Sequence, residues 1–373
     1  MAATGTAPIH ISLDPASAGA ATDDLLAAML RANPRVSDLI FSPGRQLQVQ
    51  VNGAFVPVEL AGLPLFAADD TRRIASHLLG NNKAAIAMLR EQGYCDISYA
   101  LPGVARFRVN VFIQRGSCAV VMRVIPTAIP DLKTLAAPPQ LQNTVTIRNG
   151  LVLVTGPRGC GKSSTLAALV NHINETEACH IITIEDPIEF LHNHKRATVH
   201  QRELHSDTPS ISHAMRAAFR QAPNVIVVGE LKDRESMELA LDAAETGHLV
   251  LSTMNTVTAA KTVERFVGLF PTAEQTAVRE RLSRMLRYVI CQRLIPRKQD
   301  GERVAVYQIV ASESLQTYLQ GSQDQNREGQ PVSSASAIDR EIERLVRAGI
   351  ISAETALAHV SDPAILSKNL ASD

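Results

Sequence analysis

The chain has 373 residues, is 45% hydrophobic and 20% charged, and sets 37 Lys and Arg against 37 Asp and Glu. That length suits two domains with a sizeable core each. Zero formal charge removes any overall field toward nucleic acid or an anionic membrane, and 4% aromatic residues without Trp argue against a base-stacking platform.

Residues 1–20, rich in Ala, Gly, Ser and Thr, read as a flexible lead-in. Leu25, Leu26, Met29 and Leu30 give residues 23–31 the spacing of a short helix with one apolar face. Residues 37–42, 47–51 and 54–58 alternate with Pro-Gly and Asn-Gly turns and predict a small antiparallel meander. Helices at about 68–79 and 83–91 and strands at 96–101, 106–114 and 119–125 complete an N-terminal domain, 21–126, with no catalytic constellation of its own. Pro126, Pro130, Pro138 and Pro139 mark 127–144 as a semi-rigid linker.

From Val145 onward strands alternate with helices. Strands at 151–154, 180–184, 224–229 and 249–253 are apolar and β-branched, as if buried on both faces, with helices at about 162–174, 210–221, 233–245 and 257–267 between them. This pattern predicts an α/β fold with a parallel sheet and ligand at the carboxyl ends of its strands. A long helix is expected from Pro271 to about Tyr288, then a strand at 304–310, a flexible loop at 320–334 and closing helices in 335–373.

Residues 156–163 read G-P-R-G-C-G-K-S, which fits G-x-x-x-x-G-K-[ST], between the strand at 151–154 and a helix. That context predicts a P-loop. Its glycines let successive backbone N–H groups close around a phosphate chain, and the positive end of the helix favours the same anion. Lys162 would reach the β- and γ-phosphates of a nucleoside triphosphate and the Ser163 hydroxyl would hold Mg²⁺.

Hydrolysis then needs carboxylates on the same edge. One strand ends in Glu185-Asp186-Pro187, another in Gly229-Glu230, and a third starts with His248 and closes in Ser252-Thr253. The five cysteines, Cys95, Cys118, Cys160, Cys179 and Cys291, form no C-x-x-C pair, which argues for reduced thiols and against a structural zinc site. His192, His194, His200 and His205 read as solvated surface residues rather than a metal cluster. The sequence shows neither an 18-residue apolar window nor a signal peptide, so the expectation is a cytosolic protein.

These motifs, in this order, resemble the PilT-like retraction ATPases of type IV pili, within the secretion-ATPase superfamily. Residues 155–164 are similar to that family's Walker A, 182–189 to its acidic Asp box, 225–233 to its atypical Walker B and 246–256 to its His box. The likeness extends to 96–110 and 345–357, and covers about 20–365. It implies a C-terminal RecA-like P-loop NTPase domain, 145–319, with a smaller α+β PAS-like N-terminal domain, 21–126. It implies phosphate contacts from Gly156, Gly159, Cys160, Gly161, Lys162, Ser163 and Ser164, with Mg²⁺ at Ser163 and Glu230. Glu185 is the implied water-activating carboxylate, Glu230 the Walker B acid and His248 the His-box residue. Arg106, Arg108, Arg115 and Arg123 include candidates for arginines that reach phosphate from the N-terminal domain.

The resemblance further implies a homo-hexameric, Mg-dependent ATPase that powers pilus retraction and twitching motility. Its place would be cytoplasmic, peripheral at the inner-membrane base of the pilus machine. The partners implied are an inner-membrane platform protein and a paralogous pilus ATPase, with no nucleic acid and no membrane insertion. Arg158, Cys160, Lys232 and Asn255 depart from the family pattern, which usually carries Thr, Ser, Arg and His there. Cys160 would be an oxidation-sensitive thiol inside the loop. Two alternatives remain open: a slow or non-hydrolysing accessory subunit of a pilus ATPase, and an assembly or type II secretion ATPase.

Overall fold

Along Ala105–Gln114 every second side chain from Ala105 to Val111 is buried, the period-two signature of a strand covered on one face. A computed structural model describes residues 9–11, 21–51, 54–60, 65–125, 128–299, 302–319, 334–360 and 362–371. The chain divides into two compact units, Met1–Ala128 and Ile129–Asp373.

The first unit runs β1 (Ile9–Ile11), α1 (Ala21–Ala32), β2 (Val36–Phe41), β3 (Leu47–Val51), β4 (Ala54–Leu60), α2 (Ala68–Leu79), α3 (Lys83–Gln92), β5 (Tyr94–Leu101), β6 (Ala105–Gln114) and β7 (Ser117–Ile125). Its sheet has the order β1-β4-β3-β2-β7-β6-β5 and is antiparallel except where β1 joins β4. The apolar face packs Leu26, Met29, Leu39, Phe41, Phe107 and Met122 into one core. β1 corrects part of the expected lead-in: Ile9–Ile11 pair with Val58–Leu60, and Ile11 is buried.

The second unit opens on α4 (Gln140–Asn143) and a single 3₁₀ turn. It continues β8 (Gly150–Thr155), α5 (Lys162–Thr176), β9 (His180–Glu185), β10 (Thr198–Glu203), α6 (Ile211–Ala218), β11 (Val225–Val228), α7 (Arg234–Glu245), β12 (Leu249–Met254), α8 (Ala259–Gly268) and α9 (Thr272–Met285). It closes with β13 (Leu286–Pro296), β14 (Arg303–Ala311), α10 (Ser312–Leu319), α11 (Ser334–Arg347), α12 (Ala353–Leu357) and α13 (Pro363–Ala371). The sheet order is β10-β9-β11-β12-β8-β13-β14, parallel throughout except the last pair. Leu151 and Leu153 join an apolar layer with α6–α9, whereas Val152 and Val154 join a second layer with α5. Burial on both faces is why these strands are continuous apolar runs.

Two expectations change here. The helix expected to reach Tyr288 ends at Met285, and β13 follows it, lying between β8 and β14. An apolar stretch with both faces covered carries no period that separates strand from helix. The segment expected as a linker is instead anchored to this unit: Leu132 and Leu141 are buried in the α5 layer. The expected loop lies outside the described residues over 320–333, and Ser334 begins α11. Among the described residues no helix is long and apolar enough to cross a membrane.

Candidate active site

The strand register brings four strand ends to one level. Thr155 of β8 faces Met254 of β12, Ser252 faces Val228 of β11, and Val228 faces Ile184 of β9. Gly156, Asn255 and Gly229 with Glu230 follow β8, β12 and β11, and Glu185 is the last residue of β9. Cross-strand bonds fix the edge: Ser252 Oγ donates to the Val228 carbonyl at 2.7 Å, Thr253 Oγ1 to the Gly229 carbonyl at 2.7 Å, and Gly229 N to the Ile184 carbonyl at 2.9 Å.

Residues 156–161 turn between β8 and α5, whose cap Gly161 has a left-handed backbone with φ of 87°. Only glycine adopts that geometry without strain. At Gly156 a Cβ would stand 2.4 Å from the Gln292 carbonyl oxygen and 2.5 Å from Cys160 Sγ, so the close approach of β13 demands glycine. Lys162 Nζ donates to the Gly156 and Pro157 carbonyls at 2.9 and 2.8 Å, which holds the ammonium over the loop. Ser163 and Ser164 sit half-buried in the first turn of α5. A cation, a glycine turn and a helix N-terminus around one point fit a polyphosphate. Arg158 is exposed at the loop tip. Cys160 is buried and burial pushes its thiol up, so the expectation of an oxidation-sensitive thiolate does not hold.

Glu185 retains some exposed surface, but protein surrounds its carboxyl closely, and burial pushes it above the usual carboxylate range. Thr183 Oγ1 and Gln201 Nε2 donate to its Oε1 at 2.6 and 2.9 Å and oppose that shift. Glu230 receives a hydrogen bond from Asn255 Nδ2, and Lys232 Nζ lies 3.7 Å from its other oxygen and 3.9 Å from Asp186 Oδ2. Lys232 therefore acts as a point charge between two carboxylates, a task that needs no guanidinium fork. Asp233 is a helix cap, accepting from Ser236 N at 2.8 Å at the start of α7.

His248 is not at this edge. It precedes β12, and its carbonyl accepts from Gly150 N at 3.0 Å, where β8 begins. Its Nδ1 lies 3.0 Å from the Ala243 carbonyl, and it lines a cavity of about 390 Å³ with Arg148, Cys179 and Asn224. The whole length of β12 separates it from the P-loop, so the expected catalytic role is corrected; Asn255 holds the other end of that strand. Gln201 and Gln292 also join the site. Neither lies in a recognisable motif, and only the pairing of β10 and β13 could have revealed them.

Arg106, Arg108 and Arg123 lie in the first unit. Arg106 and Arg108 alternate with the buried Phe107 and Val109, so they share the opposite face, and Arg108 stands directly across from Arg123. Arg123 Nε donates to Asp38 Oδ1 at 2.9 Å. Arg115 occupies the β6–β7 turn. Among the histidines, His194, His200 and His205 are exposed, whereas His192 is largely enclosed and burial lowers it to about 4. That corrects its reading as a solvated residue.

A P-loop, two carboxylates and an amide on one edge of a parallel sheet define an ATPase of the P-loop class. The family described as Type II/IV secretion system protein matches residues 70–357. The chain is 41% identical over 300 residues to the "Twitching motility protein" of Neisseria gonorrhoeae, covering 79% of each chain. It is 49% identical over 215 residues to the type IV pilus retraction ATPase PilT of Pseudomonas aeruginosa, 58% of this chain and 62% of that one. The crystal structure of the pilus retraction motor PilT with bound ADP shares the fold with a TM-score of 0.80 and 37% identity, over 89% of this chain and 95% of that one. The chain belongs to the Type II/IV secretion system protein family and is a PilT-like, nucleotide-binding, ATP-hydrolysing enzyme.

Proposed function

We propose that this chain is a Mg-dependent ATPase motor that powers type IV pilus retraction as a homo-hexameric ring at the cytoplasmic base of the pilus machine. The observation that carries the proposal is the alignment of Glu185, Glu230 and Asn255 beside the P-loop at the carboxyl edge of one sheet. Likeness to proteins named for twitching motility and pilus retraction supplies the biological direction. An inner-membrane platform protein is the partner this role implies, and a paralogous pilus ATPase is the partner of the accessory-subunit reading.

In this reading the N–H groups of Gly156, Gly159, Cys160 and Gly161 and the Lys162 ammonium bind the phosphates. Ser163 and Glu230 would hold Mg²⁺, which draws negative charge from the phosphate oxygens. Glu185 removes the proton of the attacking water; a carboxyl raised above its usual range is a stronger base for that task near neutrality. Asn255 orients Glu230 and Lys232 offsets the charge of the two acids.

Asn255 favours a second reading, a slow accessory subunit, because an amide can orient Glu230 but cannot carry a proton. A deletion strain complemented with the native chain or with Glu230→Gln separates the two. Retraction restored by the native chain and not by Glu230→Gln supports the motor. Equal restoration by both supports the accessory subunit.

A further inference from the structure

We infer that Gln292 is a positioning residue that sets the direction of a phosphate-binding amide in the P-loop. This rests on the reading of the loop as the nucleotide site. The register pairs Cys291 of β13 with Thr155 of β8, which brings Gln292 beside the first residue of the loop. Its carbonyl is the atom that a Cβ on Gly156 would strike, so the two backbones are already in close contact.

The side chain of Gln292 is buried and both ends of its amide are used. Nε2 donates to the Cys160 carbonyl at 2.7 Å, and Oε1 accepts from Thr165 Oγ1 at 2.8 Å. One side chain thus ties the top of the loop to the first turn of α5, and Thr165 N closes the same turn on the Gly161 carbonyl at 3.0 Å. In a trans peptide the C=O and the next N–H point in opposite directions. Drawing the Cys160 carbonyl toward Gln292 therefore turns the Gly161 N–H away from the core, to the side where phosphate binds. Without Gln292, the Thr165 hydroxyl would keep only Tyr307 Oη at 3.4 Å and the Cys160 carbonyl would lose this donor, a cost that rotating the peptide would relieve. Such a rotation would replace an N–H facing phosphate with a carbonyl oxygen.

The test is the ratio of AMP to ADP dissociation constants, because the loop grips the phosphates that AMP lacks. It is measured for the native chain, Gln292→Met and Gln292→Glu, each with its nucleotide-free melting temperature. The native chain should prefer ADP, and Gln292→Met should lower that preference by about tenfold, the scale of one hydrogen bond in affinity. Gln292→Glu keeps the shape and the Thr165 acceptor. Ionised, it faces the Cys160 carbonyl with an oxygen; protonated, its O–H restores the donor. Its preference for ADP should therefore recover on acidification, which a merely space-filling role would not produce. A native ratio in the folded variants, with no pH dependence in Gln292→Glu, overturns the inference alone. Absence of ADP binding by the native chain overturns the ATPase reading along with it.

Discussion

Asn255 Nδ2 donates to Glu230 Oε1, so the residue that follows β12 holds the carboxylate that follows β11. The contact exists because those strands are parallel and in register, with Val228 opposite Ser252. Asn255→Asp would place one carboxylate against another and push a proton onto the pair. Hydrolysis should fall by about a hundredfold, the scale of a misplaced acid–base group, while ATP affinity stays within a few fold. Steady-state kcat and a separate ATP titration check this.

As the proposed base, Glu185 is expected to link pH to both stability and rate. Its folded value is raised, so its stabilising contribution is complete below the ordinary unfolded value of about 4.3 and is lost as pH rises through the folded value. The base form appears over that same upper range. The acid limb of the hydrolysis profile should therefore lie above the ordinary carboxylate range. Gln201→Leu, which removes a bond to the anion, should move that limb higher. Glu185→Gln should melt at a higher temperature than the native chain at neutral pH while losing turnover.

His192 acts in the other direction. Its folded value of about 4 is below the usual 6.5, so the stability it contributes is present above 6.5 and is lost as pH falls toward 4. Each pH unit in that window should cost about 1.4 kcal/mol of unfolding free energy from this group. Urea unfolding at a series of pH values should show this slope, and His192→Phe should flatten it.

His248 and Asn255 show how far the sequence could be read. Both stand in one short motif, and its spacing alone does not say which end meets the nucleotide. Strand direction decides it: in a parallel sheet the ligand lies past the carboxyl end, where Asn255 is. His248→Ala should accordingly leave the rate of ATP hydrolysis within about twofold, as expected for a substitution remote from the chemistry. The P-loop was legible because its glycines, Lys162 and Ser163 are contiguous and each has a local reason to be there. Gln292 was not, because it reaches Cys160 across 132 residues of chain from a strand that the pattern after Tyr288 does not announce. Glu185 was recognisable as a strand-end acid, but its proton affinity depends on Gln201 from β10, a polar edge strand that left no apolar signal.

The carboxyl edge of the second unit's sheet is the proposed place of ATP hydrolysis. The most direct test is phosphate release from ATP by the purified chain, with Mg²⁺ or with EDTA, beside Glu230→Gln. Mg-dependent turnover by the native chain and a loss of at least about a hundredfold in Glu230→Gln, with ATP still bound, are the expected results. Turnover that persists in Glu230→Gln, or ATP binding by the native chain without any turnover, would contradict the proposal.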